Sequence, residues 1–212
     1  NAHLLGLIKN NWMRRNTVYS AKTANSTLVR CDVAVPDLKA HDVLIEITHC
    51  GVCHSDVHFV DNDWGDSQFP MVPGHEIVGR VIALGDKVHN VVLDQRVAVS
   101  WQQGACLHCE WCEAGKEVFC HEIKGVSINC QGGFADLCTV DSRFVYMLPE
   151  NLASEYAAPL MCAGATVFHA FNQFGLKPNM KVAIVGIGGL GHLALQFAKA
   201  FGHNPQNIVN FM

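Results

Sequence analysis

Short runs in which apolar and polar residues alternate occupy the first two thirds of the chain. The clearest runs are 42–47, 77–84, 95–99 and 143–145, and they are separated by turn residues such as Gly74. Alternation of this kind between glycine and proline breaks is typical of β-strands. The pattern predicts a small all-β domain, a barrel, over residues 18–153, preceded by a loose tail over residues 1–17.

A helical pattern replaces the strands from residue 154 onward. The apolar run 181–185 predicts a strand that leads directly into the glycine-rich turn 186–191. Apolar residues then recur at helical spacing from Leu190 to Phe201, and a glycine follows that can end the helix. We therefore expect a second, α/β segment over residues 154–212.

The charge balance argues against a polyanionic partner. The 212 residues include 15 Lys and Arg against 19 Asp and Glu, which gives a formal net charge of −4. Half of the residues are hydrophobic and only 16% are charged, a composition suited to a folded chain. We expect no nucleic-acid partner, no membrane partner and a cytoplasmic location. A leader or transit segment in the basic N-terminal part is the alternative.

Four closely spaced cysteines form the first candidate metal site. Cys106, Cys109, Cys112 and Cys120 lie within fifteen residues, and short steps between thiolates suit tetrahedral zinc. Because protein sulfurs fill all four positions, the site would be structural. Paired disulfides and incidental thiols are the alternatives.

Two short turns hold further metal-ligating and proton-carrying groups. One turn spans residues 50–56 and contains two cysteines, a histidine, a serine and an aspartate, and the other is Gly74-His75-Glu76. Each turn is weak evidence alone, since Cys50 and Cys53 have the spacing of a redox pair or of half a structural site.

Five motifs together resemble one enzyme family. They are residues 53–56, His75 with Glu76, the cysteine quartet, the segment 159–167 and the glycine turn. In this order they are similar to the zinc-dependent medium-chain alcohol dehydrogenases, and in particular to the branch of the cinnamyl alcohol dehydrogenases. The resemblance spans about residues 18–207 and implies an all-β GroES-like barrel domain followed by the first part of an α/β Rossmann domain.

The resemblance implies a catalytic zinc site. Cys53, His75 and Cys162 match the family's three protein ligands, and the fourth position would be open to water or to the alcohol oxygen. Zinc there would lower the pKa of the hydroxyl or polarise a carbonyl. The implied reaction transfers hydride between a primary alcohol or aldehyde and a nicotinamide cofactor.

The resemblance also gives roles to the groups around that site. Ser55 and His58 match a route for the released proton, although His58 would otherwise be an exposed loop histidine. Asp56 and Glu76 match carboxylates that lie behind the ligands and orient them. Trp64 matches a residue of the substrate pocket, with simple packing as the alternative.

The glycine turn predicts a nucleotide site. Gly186 would permit the tight turn, Gly188 would let the backbone approach a pyrophosphate, and Gly191 would allow close helix packing. A glycine needed only for a turn is the alternative. The expected contacts of the turn with the cofactor are Gly186, Gly188, Gly189, Leu190 and Gly191. The resemblance implies two more, His54 near the pyrophosphate and Thr166 near the nicotinamide.

The cofactor could be NADP or NAD. The residue that reads the ribose is expected at the end of the second strand, which the run 208–212 predicts. The branch that the sequence resembles tends to use NADP.

Relatives continue beyond the last residue, so we expect this chain to be a fragment of a parent protein that forms a homo-oligomer. The rival hypothesis from another class is a non-catalytic zinc-binding fragment that cannot hold NAD(P). A polyol dehydrogenase is a third hypothesis, which the quartet and Cys162 argue against.

Overall fold

A computed structural model describes residues 15–126, 129–202 and 208–211 of the protein. The chain divides into two compact units, which meet between Ala158 and Pro159, a few residues beyond the predicted boundary. No helix among these described residues is long and apolar enough to cross a membrane.

The strands and the helices are numbered separately, each in chain order. They are β1 (Arg15–Ser20), β2 (Val29–Ala34), β3 (Asp42–Cys50), α1 (His54–Asp61), β4 (Ile77–Leu84), β5 (Arg96–Val99), β6 (Gln102–Gly104), α2 (Glu110–Glu113), β7 (Lys124–Val126), β8 (Asn129–Cys130), β9 (Leu137–Asp141), β10 (Val145–Met147), α3 (Ser154–Pro159), α4 (Ala165–Gln173), β11 (Val182–Val185), α5 (Gly189–Ala200) and β12 (Ile208–Phe211).

A curled antiparallel sheet forms the centre of the first unit. Its five strands lie in the order β10-β5-β4-β3-β9, and the pairing of β3 with β4 contains two register shifts. Such irregularities bend a strand and increase its twist, so the sheet closes partly on itself as a half-barrel. Apolar residues at alternate positions fill its interior, among them Val43, Ile45, Ile77, Val97 and Val99.

Two predicted boundaries differ from the structure. β1 begins at Arg15 and pairs with β2 along its whole length, so this strand includes the last residues of the segment expected to be a tail. Residues 1–14 of that segment lie outside the described part. The run 143–145 is not a strand throughout, because Ser142–Phe144 form a 3₁₀ turn and β10 starts at Val145.

The second unit has α/β architecture. β11 pairs in parallel with β12, and α5 connects the two strands in sequence. The predicted helix is confirmed as α5, and Gly202 follows it with a φ of 82°, in the left-handed region that favours glycine. Val167 of α4, Ile184 of β11 and Ala194 of α5 form the buried apolar cluster of this unit.

Candidate metal and nucleotide sites

The turn before α1 is built around the side chain of Asp56. Its Oδ2 accepts a hydrogen bond from the backbone N–H of Cys53 at 3.0 Å, which fixes the residue that caps the helix. Asp56 is only 3% exposed, so its buried oxygens need such hydrogen-bond donors in place of water. Helix α1 then carries His54, Ser55 and His58 on its first turns.

The turn that carries His75 is held by a distant segment of the same unit. Gly74 has a φ of 101°, and a side chain there would meet the backbone nitrogen of Phe134 at 2.7 Å. Gly133 donates its N–H to the Gly74 carbonyl at 2.7 Å, and Phe134 donates to the Pro73 carbonyl at 2.9 Å. The position of His75 therefore depends on residues that lie far later in the sequence.

Asp56 joins the two turns. Its Oδ1 accepts hydrogen bonds from Nδ1 of His75 and from the backbone N–H of Gly74, each at 2.8 Å. A carboxylate can only accept here, so Nδ1 of His75 carries the proton and Nε2 presents a lone pair. An imidazole oriented in this way is the usual form of a metal-ligating histidine.

Three ligand atoms meet where the two turns approach each other. One atom from each of Cys53, His75 and Glu76 lies within 4.8 Å of the other two. Burial disfavours the thiolate of Cys53, but hydrogen bonds with Ser55 hold the pKa of this thiol below its ordinary value. Burial raises the pKa of Glu76 despite the neighbouring imidazole. A thiolate, an imidazole and a carboxylate are all ligands that zinc accepts, so this donor set fits the ion.

Glu76 lies closer to the other ligand atoms than the sequence indicates. We expected this residue behind the ligands, and its carboxylate reaches the same space as Cys53 and His75. A Cβ atom at Gly51 would overlap this carboxylate, so the glycine keeps the space open. The glycine is visible in the sequence Gly51-Val52-Cys53, but only the fold shows that a side chain at this position would overlap Glu76.

Cys162 lies in the second unit, within the π-helical turn Leu160–Gly164 between α3 and α4. Turns of this kind are rare and are often found at functional sites. The sequence did not predict it. The place of Cys162 in the ligand set stays a prediction.

The remaining groups expected near the reaction lie on or next to α1. His58 bonds through Nδ1 to a carboxylate oxygen of Asp63 at 2.6 Å, and its ring lies 4.8 Å from that of His54. Trp64 is 54% exposed and packs edge-on against Phe59. The Phe59 ring in turn contacts the imidazole of His75. Trp64 therefore belongs to an aromatic stack that ends at a candidate ligand.

The cysteine quartet converges on one point. All four sulfurs lie within 4.8 Å of one another, and Cys112 Sγ is 3.9 Å from that of Cys106 and 3.6 Å from that of Cys109. Sulfurs at the corners of a tetrahedron with zinc–sulfur bonds of about 2.3 Å are separated by about 3.8 Å. A disulfide needs about 2.05 Å, and all four of these cysteines are free thiols. The geometry fits zinc, and the sulfurs of the quartet are too far apart for disulfides.

The electrostatics of the quartet differ from one sulfur to the next. A hydrogen bond from the backbone of His108 lowers the pKa of Cys106 to about 6. Burial raises the pKa of Cys112 to about 12. The N–H groups of Cys106 and Glu122 point at the sulfur of Cys120, at 3.4 and 3.3 Å. Backbone donors of this kind stabilise negative charge on sulfur, as a thiolate ligand requires.

Cys50 lies beside the candidate site, next to the backbone of Glu76. Burial raises the pKa of its thiol to about 12, so Cys50 is a protonated and unreactive group. This argues against a redox pair with Cys53. Cys31 and Cys138, also without metal spacing, are not joined in disulfides, and Cys130 lies where side chains are not described.

The glycine turn of the second unit leaves an open groove at the end of β11. Gly186 has a φ of 84°, and a Cβ at Gly191 would overlap the Gly186 carbonyl. A Cβ at Gly188 would meet nothing within 4 Å. The groove has a volume of about 420 Å³ and is also lined by Val185, Gly189 and Leu190. A side chain at each of these three positions is therefore disfavoured for a different reason: backbone conformation at Gly186, the open groove at Gly188 and close packing at Gly191. The space above Gly188 fits a nucleotide phosphate near the N-terminus of α5. Thr166 lies exposed on α4.

Comparison with known proteins identifies related sequences and structures. The family described as the alcohol dehydrogenase GroES-like domain matches residues 39–150, just over half of the chain. An aldehyde reductase from Synechocystis is 41% identical over 184 residues, which cover 87% of this chain and 55% of the relative. Cinnamyl alcohol dehydrogenase 1 from Medicago truncatula is 42% identical over 200 residues, which cover 90% and 56%.

A solved structure has the same fold. The cinnamyl alcohol dehydrogenase from Helicobacter pylori, complexed with NADP(H), superposes with a TM-score of 0.86 at 28% identity and covers 93% of this chain. The match covers 59% of that enzyme. The chain thus spans little more than half the length of the relatives it matches.

Proposed function

Since the chain belongs to the family of the alcohol dehydrogenase GroES-like domain, we propose that the protein is a zinc-dependent oxidoreductase. The reaction is hydride transfer between a primary alcohol or its aldehyde and a nicotinamide cofactor. The activities for which the relatives are named, those of an aldehyde reductase and a cinnamyl alcohol dehydrogenase, support this class of substrate.

The observation that carries the proposal is the arrangement around Asp56. One buried carboxylate fixes the turn of Cys53 and the tautomer of His75, so that sulfur and Nε2 are available to one metal ion. We propose Cys53, His75 and Cys162 as the protein ligands of this ion and the quartet as the ligands of a second, structural ion.

We propose separate roles in the reaction for the metal ion and for the residues around it. Bound zinc would supply a Lewis acid that makes an alcohol hydroxyl more acidic and a carbonyl more electrophilic. Asp56 keeps His75 in position and supports its basicity as a ligand. We propose that Ser55 and His58 carry the released proton outward, since the hydroxyl lies next to Cys53 and the imidazole is already partly in solvent.

The glycine turn would hold the cofactor. Gly188 and Gly189 leave space for a pyrophosphate beside the start of α5, where the positive end of the helix dipole favours a negative charge. We place His54 and Thr166 beside the same cofactor. The NADP(H) complex of the related enzyme supports NADP, and NAD is the other candidate.

Metal content and cofactor binding test the proposal together. We expect two zinc ions per purified chain, one after Cys53→Ser, and two after the control Cys31→Ser, which removes an exposed thiol remote from both sites. NADPH titrated into the same samples should bind saturably, and NADP⁺-dependent oxidation of a primary alcohol should be lost with Cys53→Ser.

Two zinc ions in the Cys53→Ser variant would contradict the ligand assignment. Two ions in the unaltered chain without saturable NADPH binding would instead favour the rival, a zinc-binding fragment without catalysis. One observation favours this rival hypothesis. Val185 is 81% exposed, which leaves an apolar face beside the groove.

A further inference from the structure

A third group of metal-ligating side chains adjoins the quartet. One ligand atom from each of Cys106, His108 and Glu122 lies within 4.8 Å of the other two. The group shares Cys106 with the quartet, while His108 and Glu122 are exposed and have no place in a closed four-sulfur site. Thiolate, imidazole and carboxylate together are a donor set for a divalent transition metal.

The backbone holds both exposed ligands beside Cys106. Leu107 has a φ of 62°, unusual for a residue other than glycine, and this turns the chain back on itself between Cys106 and His108. Nδ1 of His108 lies 2.8 Å from the Cys106 carbonyl and donates to it, which leaves Nε2 as a ligand. The N–H of Glu122 is bonded to the sulfur of Cys120, which ties this residue to the quartet.

Access to the quartet is one-sided. Cys112 and Cys120 are only 8% and 4% exposed, whereas Cys106 and Cys109 are partly open to solvent. An ion from solution can therefore reach the quartet at Cys106, the sulfur that His108 and Glu122 adjoin. Glu110, Glu113 and Glu117 give the same loop an excess of negative charge, which attracts cations.

We propose that Cys106, His108 and Glu122 form the entry site through which zinc reaches the quartet. These three residues take up the ion first. Cys106 then keeps its bond while Cys109, Cys112 and Cys120 replace His108 and Glu122, and the protons of the thiols leave to solvent. Transfer in this direction is favourable because four thiolates hold zinc more tightly than a mixed set. This inference rests on the proposed zinc occupancy of the quartet.

Kinetics of metal uptake test the entry site. All kinetic measurements use the chain with Cys53→Ser as the otherwise unaltered background, because this change removes a thiolate of the second proposed site. The metal-free chain, kept reduced, is mixed rapidly with Zn²⁺ or with Co²⁺, and the thiolate–cobalt absorption of the quartet is followed over time. The double variant His108→Ala with Glu122→Gln should take up either ion about tenfold more slowly or worse. Its final stoichiometry and its final cobalt spectrum should equal those of the unaltered chain, because the four sulfurs are unchanged.

A matched control separates an entry site from general attraction. His121→Ala with Glu113→Gln removes the same two residue types from the same loop and leaves the three-residue group intact. Loss of Glu113 should slow the control slightly, because this residue adds to the negative charge of the loop. A control that takes up the ion clearly faster than the entry-site variant supports the proposal, and an equal slowing in both variants overturns it. Uptake by the entry-site variant at the unaltered rate also overturns it.

Release from the zinc-loaded chain gives an independent measurement that does not require a folded metal-free state. With excess chelator, the entry-site variant should lose its quartet zinc more slowly by a similar factor, since entry and exit share one route. If the unaltered chain shows no thiolate–cobalt absorption, the zinc assignment of the quartet fails together with the entry site. A normal cobalt spectrum with unchanged rates of uptake and release would contradict the entry site and leave the zinc assignment of the quartet in place.

Discussion

At the scale of single residues, Asp56 is the group on which the candidate catalytic site depends most. Its two oxygens accept three hydrogen bonds, from Cys53, Gly74 and His75. An asparagine has the same size, but only one of its two terminal atoms can accept. At least one donor would therefore lose its partner in a buried environment.

We predict that Asp56→Asn weakens zinc binding at the Cys53 site by about 10- to 100-fold. The free energy of unfolding should fall by about 1–3 kcal/mol, since a buried donor is left without an acceptor. Competition with a chelator measures the affinity, and urea denaturation measures the stability. Asp66→Asn, an exposed change after α1, is the control and should alter neither quantity.

The residue types of this site could be predicted from the sequence better than their contacts. Cysteine and histidine in short turns already indicate a metal. The approach of Glu76 to Cys53 and His75 could not be predicted, because it depends on Gly133 and Phe134 bonding to the His75 turn. Contacts between segments so far apart leave no local pattern.

At the scale of elements, the glycine turn before α5 separates a binding role from a folding role. Gly188→Ala places a methyl group in open space, so the helix and its stability should persist. The methyl group would occupy the approach of a phosphate, and NADPH binding should weaken by about tenfold or more. Gly191→Ala should instead destabilise the second unit, because its methyl group overlaps the Gly186 carbonyl.

Titration calorimetry and far-ultraviolet circular dichroism distinguish the two glycine variants. Loss of helical signal in Gly188→Ala, or tight NADPH binding by it, would contradict this assignment of roles.

The end of β9 provides a prediction about pH. Burial opposes ionisation of Asp141, but hydrogen bonds from Arg143 hold the pKa of its carboxyl below the ordinary value. A lowered pKa stabilises the fold above about pH 4, the pKa of an unfolded aspartate, and that stabilisation is lost as the pH falls toward the folded pKa.

We expect Arg143→Gln to lower the free energy of unfolding at pH 7 by about 1 kcal/mol, a modest value because Arg143 is half exposed. The difference from the unaltered chain should shrink at pH 3. Urea denaturation at both pH values measures it, with Lys87→Gln as the control for a lost surface charge. A difference that stays constant between pH 7 and pH 3 would rule out the ion pair as its cause.

Elements with a strong local pattern could be predicted, and those defined by pairing could not. Strand β4 and helix α5 have the expected bounds to within a residue because their apolar periodicity is clear. β2 is exposed at five of its six positions and has no apolar periodicity, so its pairing with β1 is what defines it as a strand. The π-helical turn around Cys162 has no known signature in composition.

At the scale of the whole molecule, the two proposed zinc ions should differ in what they support. Cys109→Ser should lower the midpoint of thermal unfolding by about 5 °C or more and raise protease sensitivity in the loop, because polar residues there bury little apolar surface. Cys53→Ser should remove activity with a smaller change in the midpoint. Differential scanning calorimetry with limited proteolysis compares the variants, and equal midpoints would contradict separate roles.

The hydrogen bonds that hold the His75 turn also affect the order in which the two candidate metal sites are completed during synthesis. Gly132, Gly133 and Phe134 donate to the carbonyls of Val72, Gly74 and Pro73. During synthesis these donors leave the ribosome after Cys120, the last cysteine of the quartet. A nascent chain that has just passed residue 120 therefore has every sulfur of the quartet, but the His75 turn still lacks its support. On the proposed ligand assignments, the first metal ion to meet the growing chain would find a complete set of ligands only in the quartet.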